Sequence, residues 1–600
     1  MTYRISRTRI GRSPARWLPA ALVLASAPPA LAQQMPPDST AVCPQGLVSD
    51  VFVDNHSVFD LSDSRLNPRF DWAYRLADRM HSATRESVIR RELLFEPGDC
   101  YDVERLRDSE RLLRDLDFIA GVDIYGVRQA DGTIHVIVDT RDEWSLRVSG
   151  RWGGAGEQGL TRVEVSEANL LGSGQHVGAF YRRDQGDRGW GARYFTPQLL
   201  GTRWDALLEG GRTPVGYLAT EAVAYPFVGE VGRWAFLQSL SHSDTYFEYL
   251  TPGSERLLRA WYPERRFDAS LGGAYRWGRA WGMRTVVGAV LTGSWIAYPA
   301  GARYAPGVTD AGPLPPPSPI HRDSIASVRA NFLLGQRNVY FVREHGLDTV
   351  NGTEDVRLGV ESEISLGPSI PALSTDRDFA LEYTLFLASR LPGLGLGGAN
   401  LALQARRNYG GPADRPEWSD VFGQFDGWFY LRPRSGSRSE LVAAISAVAG
   451  WHDVVPFQLT LGNHTGLRGY PSFVDAGGQR VVATLEHRRY HHWPYPDLFD
   501  FGTVEFVDVG KLWAGDAPFG ANGPLRADAG IGLRVAFPPG SRQTLRLDVG
   551  FPLERSSVPR SLVVTVGIGQ LVGVRELRPD PQLLRSIGRQ ISSSYFNVPR

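Results

Sequence analysis

Cysteine and methionine are nearly absent from this sequence, with two and four among 600 residues. Two cysteines cannot staple a chain of this size, which excludes a disulfide scaffold. Beyond the N-terminal segment no run approaches the roughly 18 uninterrupted apolar residues of a spanning helix, which excludes a helical membrane protein. The chain also lacks a Walker loop, a dinucleotide-binding glycine motif, an HExxH pair and a Gly-x-Ser-x-Gly elbow, so it offers no nucleotide cofactor, no metal centre and no catalytic constellation. The reading is a protein that is not an enzyme. Charge is balanced, with 65 Lys and Arg against 65 Asp and Glu, and gives no sign of a nucleic-acid partner. Two classes survive: a soluble protein or a transmembrane β-barrel.

What is plentiful favours the barrel: 66 glycines, 16 tryptophans and 22 tyrosines. The chain opens MTYRISRTRIGRSPARWLPAALVLASAPPALAQQ, in which Arg4, Arg7, Arg9, Arg12 and Arg16 precede a short apolar run and Ala30-Leu31-Ala32 forms a small-x-small cleavage site. This reads as a secretory signal over residues 1–32, with a linker over 33–46. As a membrane anchor the run is too short and is broken by Pro19, Pro28 and Pro29. In an exported chain Cys43 and Cys100 can pair as a disulfide or remain two free thiols, and the sequence leaves both open.

Residues 47–143 carry mixed periodicity. LVSDVFVDNHSVFDL reads as a strand, and TRESVIRRELLF as a helix with Val88, Ile89 and Leu93 on one face and Thr84 as its cap. YDVERLRDSERLLRDLDF reads as a second helix capped by Asp102. GVDIYGV and TIHVIVDT, split by Ala130-Asp131-Gly132, read as a hairpin. The order strand, helix, helix, strand, strand makes one small α+β domain, with LNPRFDWAYRLADRMHSA as an inserted helix.

From about Trp144 the period becomes two. Ile531, Leu533, Val535 and Phe537 alternate with Gly530, Gly532, Arg534 and Ala536, and Leu545, Leu547, Val549 and Phe551 with Thr544, Arg546, Asp548 and Gly550. A soluble sandwich would alternate as well, but the segment exceeds the size at which soluble cores divide and shows no linker, and its polar phase carries Arg, Asp and Glu as a wet lumen would. The expectation is a predominantly β protein with a barrel of about 16 strands over residues 144–571, allowing roughly 10 residues per strand. GVTDAGPLPPPSPIHRD would be a long outer loop, and residues 572–600 a periplasmic tail serving as an extra docking or plugging element. His487, His491 and His492 read as a girdle at a strand end rather than a metal site, because adjacent strand residues face opposite ways.

One stretch, LTLGNHTGLRGYPSFVDAGG, holds an arginine stiffly between glycines. Arg468-Gly469-Tyr470 within it, Asp508 and Gly510 within FVDVGKLW, the strands ADAGIGLRVAFP and LRLDVGFPL, and the early EANLLGSGQ resemble, in that order, the motifs of the BamA/TamA superfamily of outer-membrane assembly and secretion barrels, whose periplasmic modules are called POTRA domains. The resemblance implies that the Arg468 loop folds back into the lumen to meet carboxylates on the wall. Glu486 shares the polar phase of Arg480, Thr484 and Arg488 and should point inward. Asp508 should too, but Glu505 then falls on the outer face unless a bulge or a strand end intervenes. The competing reading is an ordinary Gly/Pro turn on a passive porin.

The resemblance implies an insertase or translocase in the bacterial outer membrane, with its N-terminal domain in the periplasm, in contact with lipid, capturing extended client polypeptides by β-augmentation and open to accessory periplasmic proteins. The chain departs from the family in having one module rather than several, and in its tail. A dedicated transporter for a single secreted partner and a passive diffusion barrel are the alternatives.

Overall fold

The computed structural model describes residues 43–598 apart from 60–66, 154–158, 185–186, 254–256, 306–307, 309–313, 315–323, 394, 410–415, 434–436, 494, 496, 554–561 and 571–578. The segment expected to be a signal peptide, most of the expected linker and most of the Pro-rich loop lie outside the described residues.

Gly46 begins a compact unit that runs through the remainder of the chain. Its first part contains β1 (Val48–His56), α1 (Asp71–Met80), α2 (Glu86–Glu92), α3 (Val103–Asp115), β2 (Ile119–Arg128) and β3 (Ile134–Asp142). The sheet order is β1-β3-β2, with β1 parallel and β2 antiparallel to the central β3. Inward residues of β3, Val136 and Val138, pack with Ile89 of α2 and Leu106 and Leu113 of α3. Asp102 caps α3 by accepting from the Glu104 amide at 2.9 Å. The expected cap of α2 is displaced by one residue: Arg85 is the N-cap, and Thr84 instead donates its amide to Asp142 Oδ2 at 2.8 Å.

Among the described residues an antiparallel sheet from Leu146 to Ile568 closes on itself as a barrel of 20 strands, apart from the two-residue strand Arg303–Tyr304, with the last strand, Val563–Ile568, next to the first, Leu146–Gly153. The expected 16 falls short because strand and turn lengths depart from any uniform allowance. Six strands fit between Leu146 and Tyr225, with a turn as short as Pro214-Val215, whereas Leu258–Gly278 and Ser324–His345 run 21 and 22 residues.

Outside and inside are inverted relative to a soluble protein. Leu485, Val507 and Ile531 are 46%, 41% and 66% exposed, while Glu486, Asp508 and Asp528 between and beside them are wholly buried. An apolar outer band with a polar interior is the arrangement of a barrel seated in lipid. No helix among the described residues is long and apolar enough to cross a membrane. Protein occupies much of the lumen that the polar phase alone suggested would hold water. The loop following Trp451 enters it, and so does the C-terminal segment around α4 (Pro581–Ile587), which was expected in the periplasm. The tail's apolar residues Leu583, Ile591 and Phe596 find burial there that a solvated tail could not give them.

α3 docks on the barrel. Arg114 grips Asp355 with a two-pronged contact, Nε to Oδ2 at 2.6 Å and Nη2 to Oδ1 at 2.9 Å. Asp108 accepts from the Glu230 amide at 2.6 Å, and Arg111 lies 4.3 Å over the Phe341 ring.

Candidate functional site: an arginine-locked loop in the lumen

The strands Ser439–Trp451 and Gln479–His491 pair directly, so the chain between them must leave the wall and return. It does so as a small hairpin, Leu459–Leu461 against Asp475–Gly477, whose tip carries Gly466 at φ +112° and then Arg468. Leu459, Leu461 and Leu467 pack with Phe422, Val448 and Leu512 of the wall, so burial of the loop supplies a scaffold before any charge is considered.

Arg468 is 1% exposed and spends its guanidinium on two strands. Nε and Nη2 donate to the two oxygens of Asp508, each at 2.8 Å, and Nη1 donates to Glu486 Oε1 at 2.6 Å. Its backbone amide also points at Asp508 Oδ2, at 3.3 Å. The guanidinium stacks 3.5 Å from the Phe506 ring, an inward aromatic on the same strand as Asp508. The planar fork reads both carboxylates at once, which a lysine could not do. Tyr470 is buried and donates its hydroxyl to the Ala527 carbonyl at 3.1 Å.

The glycines have steric reasons. A Cβ on Gly469 would lie 2.6 Å from Asp528 Cβ and 2.8 Å from the Phe551 backbone, so loop and wall touch main chain to main chain. A Cβ on Gly510 would stand 3.1 Å from Leu461 and 3.2 Å from Leu467, and its absence makes room for the loop.

The structure therefore brings Arg468, Gly469, Tyr470, Glu486, Asp508 and Gly510 into one buried cluster. Residues not assigned to it from sequence belong there too. Asp548 approaches Arg468 at 3.7 Å and pairs with Arg534 at 2.6 Å, and Arg488 pairs with Glu486 at 2.8 Å. Their polar strand phase was the available signal. Glu505 needs no bulge: the strand Asp500–Trp513 alternates regularly, and Glu505 faces outward, 2.9 Å from His487. His491 sits beside Trp493 and Phe501, away from His487, and no group of three His, Cys, Asp or Glu among the described residues could hold a metal. Neither Cys43 nor Cys100 is a free thiol.

The motif EANLLGSGQ acts at the rim. Asn169 donates to Thr84 Oγ1 at 2.8 Å, and Gly172 approaches so closely that a Cβ would lie 2.1 Å from the Ala83 carbonyl oxygen. The same turn recurs at Gln198-Leu-Leu-Gly201, with Leu171 and Leu200 both at φ +52°. There Gln198 donates to the Val88 carbonyl at 3.0 Å, and Arg203 to the Arg91 and Leu93 carbonyls at 3.0 and 2.6 Å, so two equivalent turns hold α2. The second was missed, although NLLG and QLLG can be compared by eye.

These features define a class: a membrane β-barrel whose lumen holds an arginine-locked loop and whose rim carries a β-α-α-α-β-β domain. No family model matches the sequence, and no characterised protein matches it by sequence. Among solved structures the chain is similar to BamA from Haemophilus ducreyi lacking POTRA domains 1–3, at 14% identity and TM-score 0.36 over 87% of this chain and 84% of that one. It is similar to CdiB from Acinetobacter baumannii at 12% identity and TM-score 0.35, over 87% and 74% of the two chains. CdiB from Escherichia coli gives 13% and 0.35 over 89% and 91%. At such identities and TM-scores the function is argued from this chain's own geometry.

Proposed function

We propose that this chain is an outer-membrane barrel of the BamA/TamA type that assists insertion or export of client polypeptides without nucleotide, cofactor or any catalytic step. The Arg468 lock carries the reading, because an internal loop pinned by three hydrogen bonds to Glu486 and Asp508 braces a lumen that a diffusion pore would leave open. The N-terminal domain is a periplasmic POTRA domain in this reading. Its edge strands β1 and β2 expose Phe52, Tyr125 and Val127, apolar side chains that suit β-augmentation by an extended client along the part of the β1 edge beyond Val48. The last barrel strand has six residues against eight in the first, and the seam between these two short strands is the exit or template that this reading assigns to clients.

The filled lumen favours export of one partner as the second reading over passive diffusion. Depleting the protein and comparing outer-membrane and secreted proteomes separates them. Broad loss of barrel proteins supports insertion, loss of one secreted protein supports dedicated export, and no loss of either refutes both.

A further inference from the structure

The tail that fills the lumen is held in an unusual way. Glu382 Oε2 accepts from the Ile591 amide at 2.6 Å and Glu363 Oε2 from the Ser593 amide at 2.9 Å. Both carboxylates are at least nine-tenths buried. Among the described residues neither has an arginine or lysine within ion-pair distance, and every hydrogen bond that either one receives comes from the tail. Buried carboxylates are costly unless hydrogen-bonded, so this stretch of wall is built to be occupied. The two amides flank Ser592, whose backbone is extended, just before the 3-10 turn Ser593–Phe596, and the carboxylates read this backbone rather than side chains.

Further along, Ser593 Oγ donates to Glu361 Oε1 at 3.1 Å, and Tyr595 Oη meets Ser270 Oγ at 2.6 Å. Phe596 is fully buried among Leu237, Val286 and Leu333. Next to this groove lies a cavity of about 1080 Å³, bounded by Arg111 and Arg114 of α3, by Glu361 and Glu363 of the wall and by Tyr595 of the tail.

We propose that the lumenal wall around Glu363, Glu382 and the Leu237–Val286–Leu333 pocket is a binding site for a polypeptide segment with an extended start, a single 3-10 turn and an aromatic residue in that turn, and that residues 591–598 occupy it in cis. Its ligand class is a chain with two free backbone amides at i and i+2, a hydroxyl side chain and a downstream aromatic ring. The proposal rests on the reading above only for the source of the displacing segment, an exported or inserting client.

A tethered occupant competes at an effective concentration in the millimolar range, so free peptide binds the intact chain weakly and a tail-less chain much better. The probe is a fluorescent, end-capped peptide with the sequence of residues 589–598, followed by anisotropy on purified protein in detergent. A chain lacking residues 571–600, shown to be folded by its shifted gel mobility when unboiled, should bind the peptide at least about tenfold more tightly than the full chain. A peptide N-methylated at the amides corresponding to Ile591 and Ser593, or with the Phe596 position changed to Ala, should lose that binding. Full-length Phe596→Ala, which keeps the tail but loosens its anchor, should fall between the two. The site is refuted if the folded tail-less chain does not bind the peptide, or binds the N-methylated peptide equally well. Should truncation prevent folding, no gain in binding by Phe596→Ala over the unaltered chain refutes it instead. Peptide binding needs no client activity, so a negative proteome comparison would leave this result standing.

Discussion

Arg468 and Asp508 meet through two parallel hydrogen bonds of 2.8 Å, and the same arginine's backbone amide faces the same carboxylate. A residue fixed to one partner by both side chain and main chain cannot move without breaking all three contacts. Arg468→Ala strands Asp508 in a site that sees no solvent, while Glu486 keeps Arg488, and is expected to cost on the order of 3–5 kcal/mol. Lysine should recover only part of this, because it keeps the charge and loses the fork. Protease accessibility of the 456–478 loop measures the effect, and combining Arg468→Ala with Asp508→Asn should add little, since both remove one interaction. Unchanged protection in Arg468→Ala would reduce the stretch to a turn.

Gly469→Ala tests the steric half of the lock. Its Cβ would meet Asp528 and the Phe551 backbone, neither of which is the free end of a flexible side chain. Overpacking of this kind costs about 1–3 kcal/mol, so the substitution should lower the temperature at which the unboiled gel form disappears, with Arg468 still present. An alanine variant with unaltered thermal behaviour would mean that the loop can retreat from the wall.

How much of this was legible depended on period and phase. Ile531, Leu533 and Arg534 declare their faces because side chains alternate strictly along a strand, and phase likewise places Glu486 and Asp508 inward. Strand number did not follow, because alternation says nothing of where a strand ends when turns shrink to two residues. The tail was misplaced because its apolar residues are few and its composition polar. Yet Asp580-Pro581 opens a helix there, with the Asp580 side chain accepting from the Gln582 amide, and Leu583 and Ile587 lie one turn apart. A helix with one greasy stripe needs something to cover it, and only the folded barrel shows that the cover is its own lumen.

Glu143 joins the N-terminal domain to the barrel and gives a pH test. Burial pushes its carboxyl above the ordinary glutamate range, and the Ser541 and Arg542 hydrogen bonds offset this only in part. The folded state therefore holds a proton that the unfolded chain has released. Stability from this group is greatest below the ordinary glutamate value and declines as pH rises from there through the folded value. Thermal midpoints measured from about pH 5 to about pH 8 should fall less steeply in Glu143→Gln than in the unaltered protein. Parallel slopes would remove Glu143 from the account.

Arg114 and Asp355 set the position of the domain on the barrel. Their two-pronged contact buries the arginine almost fully, and the docked α3 forms one boundary of the lumenal cavity. Truncating one partner of a buried, hydrogen-bonded charge pair costs about 2–5 kcal/mol, mostly from the charge left behind, so Arg114→Ala should loosen the docking without unfolding either part. Gly172→Ala should act in the same direction by a different route, because a Cβ there collides with the Ala83 carbonyl. Proteolysis between the domain and the first barrel strand, at Glu143–Leu146, reads both. The exchange Arg114→Asp with Asp355→Arg should recover part of the protection that each single change loses, since the pair is reversed but kept. Gly172→Ala should gain nothing from that exchange, because its defect is steric. If the exchange restores no protection, or if Arg114→Ala leaves the junction as resistant as before, the ion pair does not hold the domain, and the docking falls to the two Leu-Leu-Gly turns and the Asp108 and Arg111 contacts.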